Sequence, residues 1–405
     1  MSVQFRPVDA DEIETFLRSM GVPFGFDATP EAIDRFRNAF ELDRTRAAVD
    51  GDQIVATFGA LSVGITVPGG VLPLAGTTIV TVLPTHRRQG ILRRMMVDHF
   101  ADLHQRGEPL AALWASESSI YGRFGYGPAC EKAVVKLDKS YARLREPVKI
   151  GGSMRLIDRN KACEILPPIY DAVATERPGL LVRKVDWWRH RVLRDPEYMR
   201  RGATALRHVV HHRDGSPVGY VLYRTRNLTD QVGFEVQVVE LIGIDDRAEK
   251  ALWQFLFGID LSASFECWNQ PIDYPLRWWL EHPRRLERKI EDGLWLRLID
   301  VRRALASRRY SCPGSLALRV RDEQCPWNNG TWQLVVDKDG VGQCQPTNAE
   351  PDLDLSPQAL GMTYLGGHRF TTLARGGLAS GSQDAIRRAD AIFNWDVLPT
   401  CTDFF

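Results

Sequence analysis

The run from Val80 through Val82, Arg87, Arg88, Gln89 and Gly90 to Arg94 packs a β-branched strand, a basic turn and a helix start into one short stretch. That arrangement suits a diphosphate. The free N–H groups of a helix start converge on one point, the helix dipole adds positive potential there, and a glycine lets an anion approach the backbone. Arg87 and Arg88 add side chains able to make charge-assisted hydrogen bonds to phosphate oxygens. On the turn alone, a solvated basic helix start on an ordinary surface accounts for the same residues equally well. Further on, the apolar stretch Leu110 to Trp114 runs into ASESSIYGRFGYGPA, where the apolar period stops and small residues and tyrosines take over. A loop at the end of a buried strand is a usual place for a site.

The elements that must hold these residues can be read around them. TPEAIDRFRNAFE is predicted helical with Thr29 as its cap, and RAAVDGDQIVATFGALSVGITV reads as two strands around Asp50-Gly51. Pro68-Gly69-Gly70 turns the chain into the strand holding Thr77 to Val82. ILRRMMVDHFADLHQ has the helical period and ends at Arg106-Gly107. Residues 148–290 repeat this grammar more faintly, with strands at ALRHVVHH, SPVGYVLYRTR and GFEVQVVELIGI and a helix in DDRAEKALWQFLFGI. From 291 the pattern changes to short strands (GLWLRLIDV, GSLALRV, TWQLVVD) and two late helices around SPQALGMTYL and DAIRRADAIF. The expected organisation is therefore mixed α/β (α+β) in three parts, 1–147, 148–290 and 291–405, the second a copy of the first type.

Composition narrows the function classes. A chain of 405 residues exceeds one ordinary core, and 44% hydrophobic with 25% charged residues describes a soluble globular protein. A formal charge of +1 over this length supplies no field for nucleic acid or an anionic membrane. The seven cysteines are scattered without a C-x-x-C pair, which argues against a disulfide framework or a zinc site and for reduced thiols. The opening residues lack the apolar core of a signal peptide and no stretch of about eighteen apolar residues occurs, so a cytoplasmic location is expected. His208, His211 and His212 suggest a metal, but strand alternation puts His211 opposite the other two and no third ligand set accompanies them. Six of the eleven tryptophans fall in the middle part, where packing between domains or subunits is the simpler use.

With these residues in view, Arg87-Arg88-Gln89-Gly90-Ile91-Leu92 resembles the acetyl-CoA signature of the GNAT superfamily, R/Q-x-x-G-x-G/A, except that Leu92 replaces the small residue. HRRQGILRRMM together with SESSIYGRFGYG resembles the Eis (enhanced intracellular survival) family of aminoglycoside-modifying acetyltransferases. The similarity covers the whole chain, with DVRRALASRRY and YLGG recurring in the last part. It implies two tandem GNAT-type domains, the second degenerate, and a sterol-carrier-protein-like domain whose C-terminus reaches the active site of the first. It implies acetyl-CoA as co-substrate, no metal, an aminoglycoside or similar amine as acceptor, and a homohexamer.

Residue by residue, the resemblance implies that the backbone of Val80, Thr81 and Val82 pairs with the pantetheine arm and that Arg88, Gln89, Gly90, Ile91, Leu92 and Arg93 hold the pyrophosphate. Ser116 and Glu117 complete the cofactor cleft, Tyr121 matches the general acid, and the terminal carboxylate of Phe405 matches the base. A tyrosine hydroxyl can protonate a departing thiolate or stabilise it by hydrogen bonding, and an α-carboxylate is ionised at neutral pH. Tyr126 competes with Tyr121. Phe404-Phe405 has aromatic rings that can anchor a terminus, or merely close the last domain. Asp27, Glu31, Asp34 and Asp403 are candidate walls for a polyamine pocket, although surface acids on a helix explain three of them as well. Asp245 and Asp246 stand where the first copy has arginines and would repel a diphosphate, so the second copy is expected to bind no acetyl-CoA. Two other readings stay open: acetylation of a protein or peptide lysine, and a non-enzymatic lipid-binding module.

Overall fold

Strand β1 (Gln4–Arg6) pairs antiparallel with β2 (Thr45–Asp50), and a turn with Gly51 at φ 60° leads from β2 into its antiparallel partner β3 (Gln53–Val67). The computed structural model describes residues 3–149, 151–229 and 232–405. They fall into two units, Met1–Ala129 with Leu294–Trp395 and Phe405, and Cys130–Gly293 with Asp396–Phe404.

In the first unit, β3 continues antiparallel into β4 (Gly70–Val82), and β4 pairs in parallel with β5 (Leu110–Trp114). Two helices precede the hairpin, α1 (Ile13–Phe24) and α2 (Pro30–Ala39), the latter capped by Thr29 as its sequence indicates. Their apolar faces, with Phe16, Leu17, Met20 and Phe36, pack with Ala47 and Ile54 of the sheet. Helix α3 (Ile91–Arg106) connects β4 to β5 and buries Ile91, Met95, Met96, His99, Phe100 and Leu103, a three-to-four-residue spacing that makes one continuous face. Gly107, at φ 71°, ends it. Arg44 is buried in this unit and pairs with both carboxylate oxygens of Glu108 at 2.6 and 2.7 Å.

The sheet then departs from a boundary at 147 and another at 290. After a short helix α4 (Ser118–Tyr121), β6 (Gly127–Pro128) closes the edge, and the strand between β5 and β6 is Leu294–Leu298. Residues Glu131–Asp138 instead pair with Ser262–Pro271 in the second unit. Alternation in a sequence identifies a strand but does not state its neighbour. Leu294–Leu298 is buried at every position, and the sheet it joins is the one that covers both of its faces. The rest of the first unit holds a second sheet, in the order Gly342–Thr347, Gly330–Val336, Gly314–Val320, Leu353–Leu355, Ala379–Gly381, with helices Pro357–Tyr364 and Gln383–Phe393 beside it.

The second unit's sheet runs Glu287–Asp292, Glu131–Asp138, Ser262–Pro271, Phe234–Gly243, Ser216–Asn227, Arg207–Arg213, Ser153–Ile157, with helices Arg159–Ala174 and Asp246–Phe257 packed on it. Its buried centre is polar. The Arg183 guanidinium lies 3.9 Å from the Tyr170 ring, donates to Glu240 and to both oxygens of Asp403 at 3.1 Å, and Trp187 Nε1 donates to Asp403 at 2.7 Å. Asn269 donates to the carbonyl of Cys401 at 2.9 Å, so residues before the terminus are held by buried bonds of this unit. Among the tryptophans of this unit Trp188 and Trp253 are buried core residues, whereas Trp278 is 63% exposed.

Candidate active site

Strand β4 carries the geometry on which the site depends. Its parallel ladder with β5 covers only Leu74–Gly76 against Leu110–Ala112, although β4 runs on to Val82 and β5 to Trp114. The divergence has a local cause. Ile79 adopts φ 51°, a conformation costly for a β-branched residue, and the register against β3 shifts between Thr57 and Gly59. Thr57 Oγ1 donates to the Ile79 carbonyl at 2.7 Å and meets Thr81 Oγ1 at 2.6 Å, while Gly59 leaves room for the Ile79 side chain, which a methyl there would meet at 2.6 Å. The bulge swings Val80, Thr81 and Val82 away from β5, and their backbone edge faces a cleft of about 560 Å³.

At the end of β4 the chain passes Pro84 and His86 into a turn with Arg88 at φ 63° and Gly90 at φ 78°, and α3 begins. Gly90 is the N-cap and supplies no side chain, so among the described residues no side-chain cap satisfies the first N–H groups of this sixteen-residue helix. Arg87, Arg88, Gly90, Ile91, Leu92 and Arg93 line the cleft. Among the described residues no ion pair holds Arg87, Arg88 or Arg93, in contrast to Arg94, which pairs with Asp98 at 3.1 Å. Gln89 is exposed and is not a lining residue. His86, Arg123, Pro23 and Phe24 are lining residues that motif reading missed. His86 and Arg123 are neighbours of legible motifs, while Pro23 and Phe24 come from the end of α1, far away in sequence.

Ser116 and Glu117 reach the cleft where β5 ends, and Glu117 starts the single turn of α4 that places Tyr121. The Tyr121 side chain is 6% exposed and its hydroxyl shares a hydrogen bond with the Ser116 side chain. Burial raises its pKa above the ordinary tyrosine value, against the lowering effect of Ser116. Tyr126 is different. It is fully buried, its hydroxyl lies 3.1 Å from Thr77 Oγ1, and Thr77 Oγ1 lies 3.1 Å from His99 Nε2. The two rings meet edge to face at 6.3 Å, but Tyr126 is not a lining residue of the cleft, so its hydroxyl serves the core. His99, deprived of water, has its pKa pushed down to about 3 and is neutral.

The other residues divide sharply. Phe405 is 8% exposed and is not a lining residue of the cleft; its ring lies on Gly76 of β4, the strand that carries Val80 to Val82 into the cleft, and an added methyl at Gly76 would stand 3.1 and 3.2 Å from two ring carbons. Asp27, Glu31 and Asp34 are exposed and do not line the cleft, and Asp34 faces Arg37 at 3.8 Å. Asp403 is no wall either, because its carboxylate is committed to Arg183 and Trp187. Glu117 is thus the carboxylate among the described lining residues, against four arginines.

The second unit has its own strand-to-helix turn. Asp245 caps the helix Asp246–Phe257 by accepting from the Ala248 N–H at 2.7 Å and also pairs with Arg213 at 2.7 Å. Glu249 in the first turn is half-buried, bonded to the Tyr274 hydroxyl and the Gly243 backbone, and pushed up to about 7 by desolvation. The helix start therefore already has its own acceptors. His208, His211 and His212 form no ligand set, and no group of metal-binding residues occurs among the described residues.

Residues 4–129 and 179–298 match acetyltransferase (GNAT) domain families, and residues 301–402 match the sterol carrier protein domain family. An N-acetyltransferase of Streptomyces avermitilis is 37% identical over 95% of this chain and 94% of its own length. The N-acetyltransferase Eis of Mycobacterium tuberculosis is 34% identical over 93% of this chain and 92% of its own. This chain belongs to the Eis family of GNAT N-acetyltransferases. The crystal structure of Eis1 from Mycobacterium abscessus superposes on it with a TM-score of 0.86 at 31% identity, covering 99% of this chain and all of that one. As an Eis-family enzyme it consists of two GNAT domains followed by a sterol-carrier-like domain, and it transfers acetyl from acetyl-CoA to an amine. No helix among the described residues is long and apolar enough to cross a membrane.

Proposed function

We propose that this enzyme acetylates primary amines of aminoglycosides or similar polyamines by direct attack, in a site made by β4, the α3 start, Tyr121 and Phe405. The observation that carries this reading is the splayed edge of β4 opening onto an uncapped, arginine-flanked helix start in one cleft with Tyr121. The free edge at Val80, Thr81 and Val82 suits the amides of a pantetheine arm as a partial strand. Arg88, Gly90, Ile91, Leu92 and Arg93 suit the pyrophosphate, with Arg87 and Arg123 adding charge. Gln89 contributes backbone geometry only.

In the transfer, the amine nitrogen attacks the acetyl carbonyl, the tetrahedral intermediate collapses, and the carbon–sulfur bond breaks with the electron pair leaving on sulfur. A buried tyrosine above its usual ~10 is a weaker acid than a thiol near ~8.5, so Tyr121 acts chiefly by hydrogen bonding to sulfur as charge develops. The Phe405 carboxylate takes the proton from the attacking nitrogen, directly or through water. The family likeness supports a cytoplasmic homohexamer.

The lining favours a second acceptor class in one respect. With Glu117 as the carboxylate among the described lining residues, the cleft does not demand a polycation, and a peptide lysine satisfies the same chemistry. Thiol release from acetyl-CoA with a panel of aminoglycosides, polyamines and lysine peptides separates the two. Faster release with aminoglycosides supports the first reading, faster release with peptides the second, and no release with any amine overturns both.

A further inference from the structure

Arg297 sits on the strand Leu294–Leu298 and is wholly buried, with both Nη groups hydrogen-bonded and its Nε without an acceptor among the described residues. Its Nη1 donates to the carbonyl of Phe124, in the loop that follows Tyr121. Its Nη2 donates to both oxygens of Asp322 at 2.7 and 2.8 Å and approaches Cys325 Sγ at 3.0 Å. The guanidinium also lies 4.4 Å from the centroid of Phe100 on α3. Asp322 is fixed in turn by the backbone N–H groups of Gln324 and Cys325 and by Asn328 Nδ2, at 3.0 to 3.1 Å. A planar fork is needed for such a set, since an ammonium cannot serve a carbonyl and a carboxylate in fixed directions.

The loop accepts this clamp through its glycines. Gly125 has φ 76°, and a methyl there would stand 1.7 Å from Arg297 Nη1. At Gly127 it would meet the Gln358 carbonyl at 2.4 Å, and at Gly122 the Gln358 side chain at 3.1 Å. Helix Pro357–Tyr364 of the sterol-carrier-like domain therefore lies directly on the segment that begins at Tyr121. Inside the segment, the Tyr126 N–H donates to the Tyr121 carbonyl at 3.2 Å, so the backbone at Tyr121 and the clamped carbonyl belong to one closed turn.

We propose that Arg297, aimed by Asp322, is a positioning residue for Tyr121, and that the sterol-carrier-like domain acts in the reaction as the buttress of this loop. The coupling to chemistry rests on the proposed role of Tyr121 as donor to sulfur, whereas the clamp itself does not. Two variants test it, Arg297→Lys and the isosteric Asp322→Asn, which keeps the packing if the first folds poorly. Hydrogen exchange of peptides covering 118–129 is expected to speed up roughly tenfold, with peptides of α3 unchanged. In thiol release, kcat falls roughly tenfold or more while KM for acetyl-CoA stays within about twofold. Tyr121→Phe then adds little in either background, because the donor is already misplaced. Unchanged exchange in 118–129 in either folded variant overturns the clamp. Full multiplication of the two kcat defects overturns the link to Tyr121. If Tyr121→Phe alone leaves kcat intact, the donor role fails and exchange alone decides the clamp.

Discussion

Gly76 offers a graded test of Phe405 that leaves the terminal carboxylate in place. An alanine methyl there stands 3.1 and 3.2 Å from two carbons of the Phe405 ring and 3.5 Å from Leu61 Cβ, so the ring alone is in conflict. Contacts between carbons are comfortable near ~3.5 Å, so the ring must retreat by about 0.3 to 0.4 Å. The backbone at 76 is ordinary strand, paired with Leu61 on one side and Ala112 on the other, and accepts alanine without strain. Overpacking of this size costs about 1 kcal/mol in stability. If misplacement by ~1 Å costs about a hundredfold in rate, a shift of about 0.3 to 0.4 Å costs roughly fivefold, and Gly76→Ala should lower kcat by about that factor. The assay is amine-dependent thiol release, with acetyl-CoA affinity measured separately. Phe405→Ala removes the ring and keeps the carboxylate, so in that background Gly76→Ala has space and should cost nothing further. An unchanged kcat in both Gly76→Ala and a chain ending at Phe404 refutes the base. An equal cost of Gly76→Ala with and without the ring shows that the methyl acts through β4 instead.

Tyr121→Phe should lower kcat about a hundredfold, as loss of one donor to developing charge does, while Tyr126→Phe leaves kcat within about threefold and costs roughly 1 kcal/mol by removing one of the two hydrogen-bond partners of Thr77. Because burial raises the Tyr121 pKa, the donor keeps its proton past the usual value, and kcat should show no loss attributable to it between pH 7 and about 10. Calorimetric titration should give one acetyl-CoA per chain, since Asp245 and Glu249 already occupy the second helix start; two per chain would contradict that. His99, at about 3 folded against 6.5 unfolded, contributes stability that is complete above 6.5 and lost as pH falls towards 3. At pH 4.5 the loss is roughly 2–3 kcal/mol, measured as the difference in pH dependence between the natural enzyme and His99→Gln.

Legibility followed distance along the chain. The turn from Arg87 to Gly90 and the start of α3 were readable because the strand, the glycine and the helix period are contiguous, and Thr29, Gly51 and Gly107 mark their ends by local chemistry. The bulge at Ile79 was not, because it depends on Thr57 and Gly59 of another strand. Tyr121 and Tyr126 are equivalent in a sequence; Thr77, 49 positions from Tyr126, decides which hydroxyl is committed to the core. Asp403 looked like a wall for a cation because its partner Arg183 is 220 positions away.

The glycines at 122, 125 and 127 make the same point from the other side. They read as loop punctuation, which a flexible turn would satisfy, yet Gly125 and Gly127 exclude any side chain because Arg297 and helix Pro357–Tyr364 stand against them. Only Gly125 among the three has a left-handed φ, so conformational freedom explains one position and close approach explains the others. A loop built this way takes part of its order from what it packs on. That is why a strand from Leu294–Leu298 and a domain with no lining residue in the cleft bear on the reaction, and why the motif SESSIYGRFGYG encodes a docking surface as well as a tyrosine.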